Sequence, residues 1–197
     1  MSYSLKGLFC LSLNPSFLVG PGDGRPTPTG EVIVNFLNRN YPCVFEAYMY
    51  LASIHGAAKA HVSALTLGKN GERYIYAEPV PYTLNQLFKI LENISGIKKP
   101  KLVIPINLLM LFSMCNELIV AIFGLGRKGC RPLISFEVVR YLSLQCDYVS
   151  EKSKRDLGCV YSGIENEIRE SVDWYIRNGY VKKSSRVRYY KKIGKLK

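Results

Sequence analysis

Between an apolar run at Phe9 to Leu13 and the first helical pattern lies a stretch that neither a helix nor a sheet interior tolerates. Val19 to Gly30 holds four glycines and three prolines in twelve residues. Proline removes a backbone donor and fixes φ, and glycine weakens either regular element, so the chain must turn here. Phe9 to Leu13 is therefore read as a buried parallel strand that stops at Asn14-Pro15 and meets a loop. The loop delivers the chain to a helix at Glu31 to Asn38, where Val32, Ile33, Phe36 and Leu37 recur at helical spacing and Thr29 is the expected N-cap.

The same alternation continues downstream. Tyr50 to Ile54 reads as a strand running into a helix at His55 to Leu67, and Gly68 to Gly71 as a turn. Arg73 to Ala77 is the next strand. Thr83 caps a helix through Ile94 whose apolar face is Leu84, Leu87, Phe88 and Leu91, and Gly96 ends it. A brief strand at Leu102 to Ile104 precedes an apolar helix. Ser135 is placed as the cap of a helix to about Leu144, with Glu137 in its first turn, and Gly163 to Asn178 as a helix stopped by Gly179. Strands alternating with helices predict the α/β class.

With 48% hydrophobic and 21% charged residues over 197, disorder throughout is excluded. The longest apolar stretch, Leu102 to Gly126, is long enough to span a bilayer but is interrupted by Pro105, Asn116 and Glu117. A buried carboxylate in lipid is costly, so a core helix or a helix lying on a surface is the better reading. Six dispersed cysteines, without a C-x-x-C pair or a histidine cluster, read as reduced and mostly buried thiols of a cytoplasmic protein. Met1 to Leu13 has no secretory-signal pattern. The formal charge of +12 is mostly a tail: Lys182 to Lys197 holds eight Lys or Arg and no acid, leaving +4 on the other 181 residues. A disordered, solvated end is expected for 182–197; contact with nucleic acid or an anionic membrane is the competing reading.

The segment Leu13 to Gly30, L-N-P-S-F-L-V-G-P-G-D-G-R-P-T-P-T-G, resembles the extended short-chain dehydrogenase/reductases of the NAD-dependent epimerase/dehydratase type, in the branch of dihydroflavonol-reductase-like proteins and hopanoid-associated sugar epimerases. Collinear matches follow at Asn35-Phe36-Leu37-Asn38, Gly71 to Ile75, Asp156-Leu157-Gly158 and Val172 to Tyr180. The resemblance implies the C-terminal part of a Rossmann-like fold with its substrate-binding cap, spanning 1–181, and NAD or NADP as cofactor. It places Pro15, Ser16, Phe17 and Leu18 against the nicotinamide, with backbone meeting the carboxamide. Asp23, Arg25, Thr27 and Thr29 would border the pocket for a nucleotide-sugar or ketone-type substrate. A purely turn-shaping role competes with each of these assignments.

Family chemistry also needs a glycine-rich turn for the pyrophosphate and a Tyr-x-x-x-Lys helix for proton transfer, both upstream of the Asn-Pro strand. Thirteen residues precede Asn14, so neither stands in its place. Gly124-Leu125-Gly126-Arg127-Lys128-Gly129 spells G-x-G-x-x-G, with Asp147 at ribose distance, but the preceding run is too long for a strand and Pro132 falls where a helix should settle. Tyr148 and Lys152 lie one helical turn apart and match a late, non-catalytic segment instead. At Ala52 to Ala58, Ser53, His55 and Gly56 replace the acidic residues that relatives use to order a strand-to-helix junction, which puts that junction in doubt. His55 reads as a polar cap, and His61 has no visible partner. The resulting expectation is a truncated or decayed member, inactive alone and prone to self-association through an uncovered strand edge. The alternatives are a subunit completed in trans by a Rossmann chain and a non-enzymatic basic binding module.

Overall fold

The computed structural model describes residues 6–123, 136–144 and 147–195. An extended segment opens the fold as β1 (Ser12–Pro15) and β2 (Phe17–Val19), and the loop after it ends at α1 (Pro28–Leu37). Three short strands follow, β3 (Val44–Phe45), β4 (Tyr48–Met49) and β5 (Leu51–Ser53), the last running straight into α2 (Ile54–Leu67). Next come β6 (Arg73–Tyr76), β7 (Tyr82–Thr83), α3 (Leu84–Ser95), β8 (Val103–Ile104) and α4 (Ile106–Phe123). The chain finishes with α5 (Phe136–Ser143), α6 (Glu151–Leu157), α7 (Glu165–Arg177) and α8 (Lys183–Lys192). Pairing is parallel for β1 with β6, β2 with β5 and β3 with β8, and antiparallel for β4 with β7. This is the α/β architecture that the alternation implies.

Two apolar clusters hold it together. The larger gathers Ile33, Phe36 and Leu37 of α1, Leu87, Phe88 and Leu91 of α3, and Ile168, Val172 and Ile176 of α7 around β2. The smaller packs Ala57, Ala60 and Ala64 of α2 against Tyr74 and Tyr76 of β6, with Leu157 of α6. Helix α3 conforms closely to its sequence pattern. Thr83 and Gln86 form a reciprocal capping box, and the buried face is the apolar stripe of its spacing.

The first strand lies later than its apolar run suggests. Leu8 and Phe9 are more than half exposed, and pairing starts at Ser12, whose N–H donates to Glu72 O at 2.9 Å. Residues before that point have run past the 68–71 turn and have no partner strand. Pro15 sits inside β1 rather than after it, because the N–H groups of Ser12 and Ser16 face β6 and that of residue 15 would face the opposite edge. Among the described residues no strand pairs on that edge. Thr27, not Thr29, caps α1, with Pro28 as the first helical residue, where its missing N–H is harmless.

The junction at Ser53 is ordered without its acidic residues. Ser53 caps α2, accepting from Gly56 N at 3.0 Å, and donates to Glu167 Oε1 at 2.6 Å. Carboxylates of α7 serve the junction, Glu170 also meeting His55 at 2.9 Å. His55 is thus hydrogen-bonded to Glu170 rather than capping the helix, and His61 Nδ1 does have a partner, the Ala57 carbonyl at 2.8 Å. Of the cysteines among the described residues, Cys159 is buried, Cys10 and Cys43 are half-buried and Cys115 is exposed, so the thiols are less covered than composition suggests. No helix among the described residues is long and apolar enough to cross a membrane. The Gly124 to Gly129 motif, Pro132 and Ser135 lie outside the described residues.

The tail is not a frayed end. Its residues 183–192 form α8 against α3, with Ser185 and Tyr189 buried and the Tyr189 hydroxyl bonded to Asp173. Asn38 fixes the entry, accepting from Lys182 N at 2.8 Å and donating to Tyr180 O at 2.9 Å. Composition hides this because one buried tyrosine among basic residues makes no visible periodicity. Tyr189→Ala is expected to lower the unfolding free energy by about 3 kcal/mol, read from the denaturation midpoint; a solvated tail would leave the midpoint unmoved.

Candidate functional site

The extended segment exchanges its partner at Ser16. Up to Pro15 it pairs with β6, and from Phe17 with β5. Ser16 N donates to Tyr76 O at 3.0 Å, Phe17 N to Tyr50 O at 3.2 Å, and the Ser16 hydroxyl to Tyr50 O. A cavity lies alongside this segment, against Arg73 and Ile75 of β6. It is a cleft of about 510 Å³ lined by Asn14, Pro15, Ser16, Phe17, Arg73, Ile75 and Tyr148. Three of the four residues expected at the nicotinamide line it. Leu18 does not: strand alternation turns it away from Phe17, and it stands 38% exposed. The N–H groups of Ser16 and Phe17 are used inside the sheet, so neither is free to meet a carboxamide.

Tyr148 stands at this cleft with its ring edge-on to Tyr50, 5.1 Å between centroids, and the Tyr50 hydroxyl donates to Asp147 at 3.1 Å. Burial, and then the neighbouring Asp147, push the Tyr50 phenol above its ordinary range. Lys152 is committed elsewhere. Its ammonium pairs with Glu72 and lies 5.1 Å from the Tyr74 ring centroid, and it holds the Glu72 carboxyl below its usual range.

The glycine- and proline-rich loop is organised around Asp23. Asp23 Oδ2 accepts from Thr27 N at 2.9 Å, from the Thr27 hydroxyl at 3.0 Å and from the Tyr175 hydroxyl at 2.7 Å. Burial and this carboxylate drive the Tyr175 phenol far up, so it remains a donor. A Cβ at Gly30 would strike both Asp23 Oδ2 and the Tyr175 hydroxyl, which fixes the need for glycine after Thr29. Tyr180 adds a hydroxyl bond to Gly24 O and stacks on Trp174 at 5.5 Å. Asp23 and Thr27 are thus occupied in holding the loop to α7. Arg25 is exposed, with no ion-pair partner among the described residues.

Thr29 is buried and faces a pocket of about 350 Å³ whose other walls are Phe17, Pro28, Val32, Tyr41, Phe45, Ala47, Met49, Leu84 and Glu137. The pocket is apolar apart from Thr29, the Tyr41 hydroxyl and Glu137. Phe17 lines both this pocket and the cleft at Ser16. No His, Cys, Asp and Glu grouping among the described residues would hold a metal ion.

A third cleft, about 670 Å³, lies beside α2, with Ser53, Tyr76, Glu78, Cys159 and Glu167 in its walls. Glu78 is buried, and that burial raises its carboxyl while the Gly163 N–H opposes the rise. A Cβ at residue 56 would collide with the Tyr76 hydroxyl, so a larger side chain there requires the tyrosine ring to shift. Tyr175, Tyr50 and Glu167 were not singled out from sequence. Tyr175 had a signal, its place on the apolar face of α7; Glu167 had none, since its partner is 114 residues away.

No family model matches the chain. It is 32% identical over 181 residues to a candidate dihydroflavonol 4-reductase of Synechocystis sp., covering 90% of this chain and 51% of that protein. A nucleoside-diphosphate-sugar epimerase from Pseudomonas aeruginosa superposes with a TM-score of 0.72 at 19% identity, over 92% of this chain and 52% of the other. The UDP-glucuronic acid 4-epimerase of Bacillus cereus, solved as a point mutant with UDP-4-deoxy-4-fluoro-glucuronic acid and NAD, gives 0.58 at 14% identity, over 87% and 46%. The chain therefore spans about half the length of the proteins it matches.

Tyr175→Phe is expected to lower stability by about 1 kcal/mol, and the double change with Asp23→Asn to fall short of the sum of the single effects, as a shared bond requires. For Glu78 the folded value lies above the ordinary 4.5. Its contribution to stability is thus intact in acid and lost as pH rises through the folded value. Glu78→Gln should therefore be more stable than the parent at neutral pH, the gap closing below pH 4.5; a gap independent of pH would contradict this.

Proposed function

Because the chain belongs to the extended short-chain dehydrogenase/reductase family and corresponds to the C-terminal portion of its fold, we propose that these 197 residues form the substrate side of an NAD(P)-dependent oxidoreductase. The family's cofactor is NAD or NADP. The observation that carries the reading is Phe17, which separates the cleft at Ser16 from the apolar pocket. A nicotinamide ring laid along Pro15, Ser16 and Phe17 has the pocket directly behind the phenyl wall. The cofactor would supply or accept the hydride. The cleft suits its nicotinamide end, while the described residues offer no glycine-rich turn for the pyrophosphate.

This chain's own part is to bind and orient. Asp23 and Thr27 hold the loop in place, Thr29 offers a hydroxyl to the substrate, and Val32, Phe45, Ala47, Met49 and Leu84 exclude water from it. Among the residues lining the pocket there is no lysine or arginine to balance a pyrophosphate. That favours an apolar ketone as substrate. A nucleotide sugar is the second reading, favoured by the ligand of the Bacillus cereus epimerase. The dinucleotide-holding turn and the tyrosine–lysine pair come from a Rossmann portion that this stretch does not contain, and the 197 residues alone are inactive. The edge of β1 that has no partner among the described residues, with Leu8 and Phe9 exposed beside it, favours self-association in the cytoplasm when that portion is not present.

The test joins the dinucleotide half of the Synechocystis relative ahead of Leu11 and follows NADPH fluorescence and oxidation. The joined protein is expected to bind NADPH and reduce apolar ketones, and the 197 residues by themselves to do neither. Turnover of UDP-sugars in place of ketones would overturn the substrate assignment, and NADPH oxidation by the isolated chain would overturn the division of labour.

A further inference from the structure

On the outer side of α1 and α3 lies a cleft of about 520 Å³ that the oxidoreductase reading does not use. Three separate segments build it: Arg39, Tyr41 and Pro42 after α1, Lys98, Lys99 and Pro100 after α3, and Arg188 from α8, with Phe36 at its base. Four cations converge and no carboxylate lines it. None of Arg39, Lys98, Lys99 or Arg188 has an ion-pair partner among the described residues, and the Lys99 ammonium bonds to the neutral side chain of Asn85. Unneutralised like charges around a concavity repel one another, raise the local potential and draw in anions.

The fold works to keep this arrangement. Arg39 has φ 58°, the left-handed region, and no other non-glycine residue among those described has a positive φ. A side-chain-bearing residue there is strained, and such strain persists where the surroundings impose it. The imposing contacts are at hand: Arg39 N donates to Phe36 O at 2.9 Å, and the neighbouring Asn38 is clamped between Tyr180 and Lys182. The same clamp starts α8, and burial of Tyr189 fixes the helix so that Arg188 reaches the cleft. Lys182 adds its ammonium to Asn38 O and Asn40 Oδ1, at 3.5 and 3.4 Å, tying the two basic segments together. A merely solubilising tail would need none of these bonds.

We propose that this cleft binds a phosphate-bearing ligand, with Arg39, Lys98, Lys99 and Arg188 around the phosphoryl oxygens and Tyr41, Pro42 and Pro100 as the apolar walls. Arginine forks and lysine ammonium groups are the side chains that recognise phosphate. Free oligophosphates and phosphorylated lipid headgroups share this chemistry.

The experiment titrates the full chain with inorganic tripolyphosphate by calorimetry, and in a second arm measures co-sedimentation with phosphatidylcholine vesicles with and without phosphatidylinositol 4,5-bisphosphate. Arg188→Glu and Lys99→Glu are compared with Lys183→Glu, which makes the same charge change on α8 outside the cleft. Tripolyphosphate binding that weakens about tenfold or more in each cleft variant, and far less in Lys183→Glu, supports a soluble ligand. The same pattern confined to phosphoinositide vesicles supports a headgroup. No binding in either arm, or equal loss in all three variants, overturns the proposal, since equal loss is the signature of unspecific charge. The substituted residues are surface side chains, and circular dichroism confirms that each variant is folded.

Discussion

Everything at the candidate site descends from the exchange of hydrogen-bonding partners at Ser16. One extended segment serves two neighbours, β6 before that residue and β5 after it, because its backbone donors at Ser16 and Phe17 reach the carbonyls of Tyr76 and Tyr50 in turn. The cleft lies alongside this segment, between its residues 14–17, Arg73 and Ile75 of β6, and Tyr148. The strand also aims successive side chains to opposite sides. Phe17 becomes the wall common to cleft and pocket, while Leu18 is turned outward. Proline at 15 is compatible with this because its missing donor falls on the edge of β1 that has no partner among the described residues.

Helix α7 is the second organising element, and it acts through polar groups. Its outward carboxylates reach back to α2 through Ser53 and His55, Asp173 holds the Tyr189 hydroxyl, and Tyr175 holds Asp23. The loop rich in glycine and proline is thereby fixed from a point 152 residues away rather than by its own turns. A buried phenol that stays protonated donates reliably to a carboxylate, and charge-assisted bonds of that kind are among the stronger ones in a protein. Asp23 and Thr27 are thus occupied within the loop and with α7, and neither lines the pocket beside Thr29.

The two cavities on either side of Tyr41 differ in electrostatic character. The pocket behind Phe17 is apolar with a single carboxylate, whereas the cleft beneath α8 is ringed by cations. Val32 of α1 and Leu84 of α3 line the first and Phe36 of α1 the second, and Tyr41 is a wall common to both.

Much of this was legible in the residues themselves. Helix α3 could be read to its ends, since its capping box and apolar stripe are local, and local rules carry over intact to the folded chain. The alternation of strand and helix, and the turn-forming loop, were equally local. What sequence could not decide depends on partners distant in the chain. The start of β1 is set by where β6 begins; the order at Ser53 comes from carboxylates on α7; Arg25, though next to Asp23 in pattern, is left in solvent. The basic segment that composition assigns to disorder is a helix because Tyr189 finds a hole and Asp173 finds a hydroxyl. Sequence alone determined the elements whose caps, stripes and breakers are local, α3 above all, because those preferences reside in neighbouring residues; the tertiary structure alone decided where β1 begins, that 183–192 is helical and which polar groups are spent on one another, because those choices belong to partners distant in the chain, some of them a hundred residues or more apart.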